Sequence, residues 1–119
     1  GPELNVDVDP ELPATFDDVF IERDENVKSW GMDRIDGPDL PMDGRYQPKY
    51  EGKGIHIFVL DTGVYDDHNE LEGRIGVGAN CLGAGPCVET EPTDDRNGHG
   101  THVACTAAST PYGVAAHAV

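Results

Sequence analysis

The sequence predicts an α/β fold in which a parallel sheet carries helices on both of its faces. Residues 55–60 form an almost continuously apolar run, which is typical of a strand that is covered on both sides. Asp61 follows this run, at the strand edge where open α/β sheets place their active sites. Residues 99–109 are rich in small side chains, which favours a helix packed closely against other elements.

Composition limits the classes of partner. The chain has 119 residues with 8 Lys+Arg against 23 Asp+Glu, a net charge of -15, so one domain or part of one is expected. Nucleic acids and anionic membranes are polyanions and would be repelled. No apolar run approaches the roughly 20 residues that span a bilayer. We therefore expect no nucleic-acid partner, no membrane partner and an acidic, solvated surface.

The first elements are short. Residues 1–15 are acidic, contain three prolines and predict a loose arm, and residues 19–24 are a candidate for a short strand. Ser29 is the predicted N-cap of a helix whose one face holds three apolar residues, Trp30, Met32 and Ile35. Residues 37–50 are rich in Gly and Pro and predict a surface loop.

The elements after the apolar run follow in a clear order. We expect a turn or a single helical turn at 68–71, a second strand over 74–80, and a polar loop over 81–97. Pro111 is expected to stop the helix over 99–109. The loop has four acids that offer oxygen ligands to Ca²⁺, but their spacing is unlike an EF-hand and favours a solvated loop: Glu89, Glu91, Asp94 and Asp95.

The three cysteines divide into a pair and a single residue. Cys81 and Cys87 flank a flexible loop that can bring them together, so the sequence predicts a local disulfide, in keeping with a secreted protein. Cys105 is left over, and we interpret it as a small buried residue.

Two residues stand out as candidates for chemistry. A histidine at a helix start can act as a general base, and an ionised carboxylate on its other ring nitrogen fixes the tautomer and stabilises the imidazolium. His99, flanked by Gly98 and Gly100, and Asp61, at the end of a core strand, meet these requirements. Taken singly, each residue is better explained as a cap, Asp61 of a turn and His99 of a helix.

The motifs around these two residues resemble the subtilisin family, and most closely its proteinase K branch. Asp61-Thr62-Gly63 follows an apolar strand, and the sequence from His99 to Ala104, HGTHVA, opens a helix. Further matches occur in family order, at residues 30–36, 52–54, 68–71 and 112–115. The resemblance covers about residues 19–119.

The resemblance implies a three-layer fold with a parallel sheet, of which these residues would form only the N-terminal half. Residues 1–28 would be an acidic arm and the end of an inhibitory propeptide, and residues 29–119 the first part of a peptidase domain. Self-cleavage is then expected between Val27 and Ser29. The implied location is extracellular, and the implied partners are protein or peptide substrates and the protein's own propeptide.

By the same resemblance the chemistry is peptide-bond hydrolysis by an Asp-His-Ser triad. Asp61 would orient His99, and His99 would be the general base, whereas His102 would pack in the helix and His68 would support a turn. No metal is implied at the catalytic residues and no cofactor is required. Structural calcium is common in the family, but no ligand for it can be assigned here.

The sequence departs from the family in two ways. Cys105 replaces a usual glycine, which puts close packing beside the histidine in question. The segment Gly-Thr-Ser-Met-Ala that carries the family's nucleophile does not occur in the 119 residues, and Ser109, the one serine after His99, lies in no such motif. We therefore expect these residues alone to be inactive.

Two alternatives remain open at this point. One is that the chain is a non-catalytic fragment or pseudoenzyme that acts as a binding module. The other alternative is a zinc site, in which His99 and His102, spaced i and i+3, combine with Asp61. A catalytic zinc site needs three protein ligands, but no glutamate stands between these histidines as in zinc peptidases.

Overall fold

The computed structural model describes residue 27, residues 29–90 and residues 94–119. Within these ranges the chain forms two α-helices, a short 3-10 helix and a two-stranded sheet. The predicted arm and the strand over 19–24 lie outside the described residues, as does all of the predicted segment 1–28 except Val27. None of the helices in the described ranges has the length and apolarity needed to cross a membrane.

Helix α1 spans Trp30–Asp36 and begins where the sequence predicted. Ser29 is its N-cap, and the Ser29 hydroxyl accepts a hydrogen bond from the Gly31 backbone N–H at 3.4 Å. The predicted apolar face was wrong, because Met32 is buried whereas Trp30 is 72% exposed and Ile35 also faces solvent. Two residues along a helix correspond to a rotation of about 200°, so Trp30 and Met32 point to nearly opposite sides.

The loop after α1 is anchored to the helix by carboxylates. Asp33 Oδ2 accepts from the Gly44 backbone N–H at 2.6 Å, and Asp36 Oδ2 accepts from the Gln47 N–H at 2.7 Å. The predicted surface loop over 37–50 is confirmed, since no helix or strand element lies within it. Tyr46 is its buried residue, and the Tyr46 hydroxyl donates to the Val114 carbonyl at 2.8 Å.

The apolar run 55–60 is extended but does not form a strand of the observed sheet. The Ile57 N–H donates to the Val119 carbonyl at 2.7 Å, and the Val119 N–H donates to the Ile55 carbonyl at 2.9 Å. This pattern, with Val119 opposite the residue between Ile55 and Ile57, is one step of parallel pairing. The sequence predicted a strand that is covered on both faces. Phe58 and Leu60 are 83% and 93% exposed, so the described residues do not cover both faces of the run.

The sheet that the structure describes is antiparallel. Strand β1, Gly78–Asn80, pairs with strand β2, Val88–Thr90, with Ala79 opposite Glu89. The predicted strand over 74–80 is therefore shorter than expected, and the predicted loop over 81–97 contains an unpredicted strand. The disulfide Cys81–Cys87 is present as predicted and joins the two strands next to their last residue pair. A three-residue strand is too short to show alternation, which is why the pattern did not reveal it.

Helix α2 spans His99–Ala108 and confirms the predicted helix to within one residue. Its N-cap is Gly98, whose φ of 97° lies in the left-handed region that favours glycine. Helix α2 contacts the 3-10 helix Asn69–Leu71, whose N-cap is His68.

The residues that form the small buried apolar core are Met32, Tyr46, Leu71, Ala104, Ala116 and Ala118.

Candidate active site

Asp61 and His99 meet where the extended run ends and α2 begins. The Nδ1 atom of His99 lies 2.9 Å from Asp61 Oδ1 and 2.8 Å from Asp61 Oδ2. The Asp61 side chain is only 17% exposed, whereas the His99 side chain is 66% exposed. The carboxylate is thus shielded while the imidazole faces outward, which is the asymmetry that an orienting acid and an accessible base require.

Hydrogen bonds favour the ionised form of the Asp61 carboxylate. The contact with His99 and the bond from the Thr62 backbone N–H to Asp61 Oδ1, at 2.7 Å, hold the Asp61 pKa below its ordinary value, against an opposing effect of desolvation. An ionised carboxylate can only accept, so the ring proton must lie on His99 Nδ1. In the neutral ring, His99 Nε2 then carries the lone pair that can take a proton from a nucleophile.

Two glycines allow the backbones to approach closely enough for this contact. Gly63 has a φ of 114°, and a Cβ atom at Gly63 would overlap the Asp94 carbonyl oxygen. A Cβ atom at Gly100 would in turn overlap the Gly63 carbonyl oxygen. A side chain at Gly100 would therefore push the start of α2 away from Gly63, and one at Gly63 would displace the segment of Asp94 and Asp95 that precedes α2.

Asp95 is a functional candidate that sequence reasoning missed. It was interpreted as an acid of a solvated loop, yet its carboxylate accepts five hydrogen bonds from both sides of the Asp61–His99 contact. Its neighbour Asp94 fits the original interpretation, since it is mostly exposed and pairs with Arg96 at 3.0 Å. Aspartate is a preferred N-cap residue, but the N-cap stands directly before the helix, so the place of Asp95 four residues before His99 gave only a weak signal.

His68 caps the 3-10 helix and lies next to Cys105, whereas His102 faces solvent. His68 Nδ1 accepts from the Glu70 backbone N–H at 3.2 Å, so the expectation that His68 supports a turn is confirmed. The Cys105 sulfur lies 3.8 Å from His68 Nε2, and burial raises the pKa of the Cys105 thiol. Cys105 is only partly buried, which corrects the expectation of a buried residue. His102 is exposed, whereas the resemblance implied that it packs in the helix.

The zinc hypothesis is not supported by the geometry. Within the described ranges, the side chains of Asp61, His99 and His102 do not converge into a group of three ligand atoms. One such group does exist there, in which the ligand atoms of Asp33, Asp36 and Asp43 lie within 4.8 Å of one another. Carboxylate oxygens are the ligand type that Ca²⁺ takes, but two of these residues already accept the backbone hydrogen bonds that anchor the loop after α1.

Ser109 does not complete a triad. It is the residue that follows α2, it is 1% exposed, and a helix of this length separates it from His99 by about 15 Å. Its place at the helix end agrees with the sequence interpretation. The described site therefore brings Asp61 and His99 together without Ser109.

Comparison with known proteins places these residues in a family. The Subtilase family matches residues 52–118, which is more than half of the chain and includes the segments of Asp61, Asp95 and His99. No solved structure shows a significant match.

Three relatives illustrate the similarity. The chain is 44% identical over 105 residues to an extracellular serine proteinase of Thermus sp., covering 82% of this chain and 24% of that protein. It is 39% identical over 100 residues to alkaline serine exoprotease A of Vibrio alginolyticus, covering 82% and 18%. It is 40% identical over 110 residues to subtilisin-like protease 1 of Pseudogymnoascus destructans, covering 84% and 26%. The chain thus spans about a quarter or less of the length of these relatives, and it belongs to the subtilase family of α/β peptidases.

Proposed function

We propose that this chain is the N-terminal part of a serine endopeptidase that hydrolyses peptide bonds with an Asp-His-Ser triad. The observation that carries the proposal is the contact between Asp61 and the outward-facing His99, at 2.8 Å. Membership of the subtilase family and relatives named as serine proteinases support it. In this proposal the serine and the oxyanion-stabilising groups come from residues beyond the 119 of this chain.

The geometry suggests how the reaction would proceed. A serine hydroxyl gives its proton to His99 Nε2 as its oxygen attacks the carbonyl carbon of the scissile peptide bond. The resulting imidazolium stays hydrogen-bonded through Nδ1 to the Asp61 carboxylate, which stabilises the positive charge. His99 then returns the proton to the leaving amine, and a water molecule activated by the same base hydrolyses the acyl-enzyme.

The same proposal covers fold, location and partners. The family supports a three-layer fold in which the extended run 55–60 becomes a strand of a parallel sheet, continuing the pairing step with Val119. The disulfide Cys81–Cys87 and the extracellular proteinase among the relatives support secretion. We assign residues 1–28 to an acidic arm and propeptide end and residues 29–119 to the peptidase domain, with protein or peptide substrates. No cofactor enters the proposed reaction, and a structural calcium would act on stability alone.

The test is peptide hydrolysis by the full-length natural protein and matched variants. Asp61→Asn retains the size of the side chain but disrupts the tautomer of His99, so kcat should fall by about 10⁴-fold, as for other serine-protease acid–histidine pairs. His99→Ala should be at least as damaging. Asp94→Asn is the matched control, because it removes an equally charged but exposed carboxylate one residue before Asp95.

The outcomes separate the proposal from its alternative. Activity that is lost in Asp61→Asn and His99→Ala but retained in Asp94→Asn supports the triad. A full-length protein that hydrolyses no peptide would instead be the pseudoenzyme alternative, and its ligand should then be sought by binding experiments.

A further inference from the structure

We propose that Asp95 is the positioning residue that sets the contact between Asp61 and His99. Those two residues are 38 positions apart in the chain, so their hydrogen bond depends on whatever holds the two segments in register. Asp95 accepts hydrogen bonds from both segments. The inference rests on the proposed function and assigns a role to a third acidic residue of the same site.

One oxygen of Asp95 holds the segment that carries Asp61. Asp95 Oδ1 accepts from the Thr62 hydroxyl at 2.8 Å, and Thr62 is the residue that follows Asp61. The Thr62 oxygen in turn accepts a hydrogen bond, at 2.9 Å, from the backbone N–H of Gly100, which is the residue directly after His99. The Thr62 hydroxyl is therefore used as donor and as acceptor, and it connects the two segments at the residues adjacent to the proposed pair.

The other contacts of Asp95 hold the first turn of α2. Asp95 Oδ1 also accepts from the backbone N–H groups of Gly98, at 2.9 Å, and Asn97, at 3.1 Å. Asp95 Oδ2 accepts from the Thr101 N–H at 2.9 Å and from the Thr101 hydroxyl at 2.6 Å. The bonds from the Gly98 and Thr101 backbone N–H groups satisfy donors that a helix start leaves unpaired. The N-cap Gly98 cannot satisfy such donors itself, because it has no side chain.

The second threonine extends the network to the chain beyond Asp61. The Thr101 oxygen accepts from the Tyr65 backbone N–H at 2.9 Å. Directly and through Thr101, one carboxylate thus joins the residue after Asp61, the backbone of Tyr65 and the first turn of α2. The backbone of His99 is held between these contacts, so its ring approaches Asp61 at a fixed angle.

The charge of Asp95 is essential to this arrangement. Hydrogen bonds from the Thr101 hydroxyl and the Gly98 N–H hold the Asp95 pKa well below its usual range, so the carboxylate is ionised wherever a protease would work. An ionised carboxylate accepts through both oxygens. An asparagine accepts through one, and its amide nitrogen would face the donors of Thr62 or those of Thr101.

The experiment measures kcat and KM of the full-length protein per folded molecule, with the folded fraction taken from circular dichroism. Asp95→Asn breaks the network at its centre, and Thr62→Val removes one hydroxyl at constant shape. Thr62→Ser restores the hydroxyl. Thr106→Val is the matched control, because Thr106 lies in the same helix and its hydroxyl donates to the His102 carbonyl and not to Asp95.

We expect Asp95→Asn and Thr62→Val each to lower kcat by about 10- to 100-fold, the scale on which a misplaced catalytic group loses rate, with KM within about twofold. Thr62→Ser should regain most of kcat, and Thr106→Val should match the wild type. The double variant Asp95→Asn/Thr62→Val should be little worse than the worse single variant, because both remove the same link.

Two results would overturn the inference. One is a wild-type kcat in Asp95→Asn or Thr62→Val. The other is an equal loss in Thr62→Ser and Thr62→Val, which would show that the hydroxyl is not what matters. Failure of the proposed function is distinguishable, because the wild type itself would then be inactive, and the inference that rests on that function would fall with it.

Discussion

At the scale of single residues, the structure distinguishes two acid–histidine pairs of different character. In the first, a shielded Asp61 contacts an exposed His99, and the Asp61 carboxylate also accepts a backbone hydrogen bond from Thr62. In the second, Glu51 Oε2 lies 3.3 Å from His117 Nε2, and Glu51 is fully buried. The His117 backbone N–H also donates to the Glu51 carbonyl, so this second pair joins two chain segments. The pair at the start of α2 is the one placed for chemistry.

The lowered pKa of Asp61 predicts a pH dependence of stability. The folded-state pKa lies below the unfolded value of about 3.9, so the ionised carboxylate stabilises the fold fully above that value. The stabilisation is lost as the pH falls through the lower, folded-state pKa. Urea unfolding of the full-length protein should therefore show a difference between wild type and Asp61→Asn that is constant above about pH 5 and shrinks in more acidic solution. A difference that grows on acidification would contradict the assigned direction.

At the scale of elements, the start of α2 is determined by contacts that helix propensity does not describe. Gly98 caps the helix without a side chain, and Asp95 replaces the missing cap from three residues upstream. Gly100 lies in the first turn, where its missing side chain admits the Gly63 carbonyl. The helix is therefore positioned by its contact with the end of the extended run as well as by its own sequence.

The substitution Gly100→Ala tests whether the close contact with Gly63 or helix propensity has the larger effect on stability. In a helix, alanine is more favourable than glycine by about 1 kcal/mol, so propensity alone predicts a more stable protein. The Cβ atom would instead overlap the Gly63 carbonyl, and we expect the free energy of unfolding to fall by about 1–3 kcal/mol. Denaturant titration of the full-length protein measures the change.

Gly76→Ala is the matched control for this substitution. Nothing lies within 4 Å of a Cβ atom at Gly76, so a change within about 0.5 kcal/mol is expected. Stabilisation by Gly100→Ala would show that the helix can move away from Gly63 at little cost.

At the scale of the whole molecule, the part of the chain that the structure describes leaves large apolar side chains uncovered. Phe58 and Leu60 project from the extended run into solvent. Clustered apolar surface of this kind marks an interface or an association site. The described part of the chain is also small beside the relatives, of which it spans about a quarter or less. A partner surface for the run 55–60 is therefore expected in the rest of such a protein.

The isolated 119-residue chain should accordingly associate and remain inactive. We expect a concentration-dependent increase in sedimentation coefficient that Phe58→Ser/Leu60→Ser reduces. Leu82→Ser/Val88→Ser is the matched control, because these exposed apolar residues lie on the β1–β2 hairpin, away from the run. Peptide hydrolysis should not exceed that of the Asp61→Asn chain, since no serine among the described residues forms a hydrogen bond with the His99 ring. Activity of this chain that depends on Asp61 would refute the proposal that the serine of the triad lies outside these 119 residues.

Much of the local structure could be predicted from the sequence because its signals are local. A serine before an apolar-periodic segment predicted the cap of α1, and small residues followed by Pro111 predicted the extent of α2 to within one residue. The six-residue separation of Cys81 and Cys87 indicated their disulfide. The sequence also singled out Asp61 and His99, and the structure brings them together, although their catalytic roles stay a prediction.

Only the tertiary structure decided which side chains are buried, which segments pair and what holds the site in register. The exposure of Trp30, the antiparallel pairing of β2 and the extended but uncovered run 55–60 all depend on neighbours that are distant in the chain or absent from the described residues. The role of Asp95 likewise arises from a contact with Thr62 across 33 residues. Composition and periodicity report on one segment at a time, whereas a carboxylate acquires a role from the donors that folding brings around it.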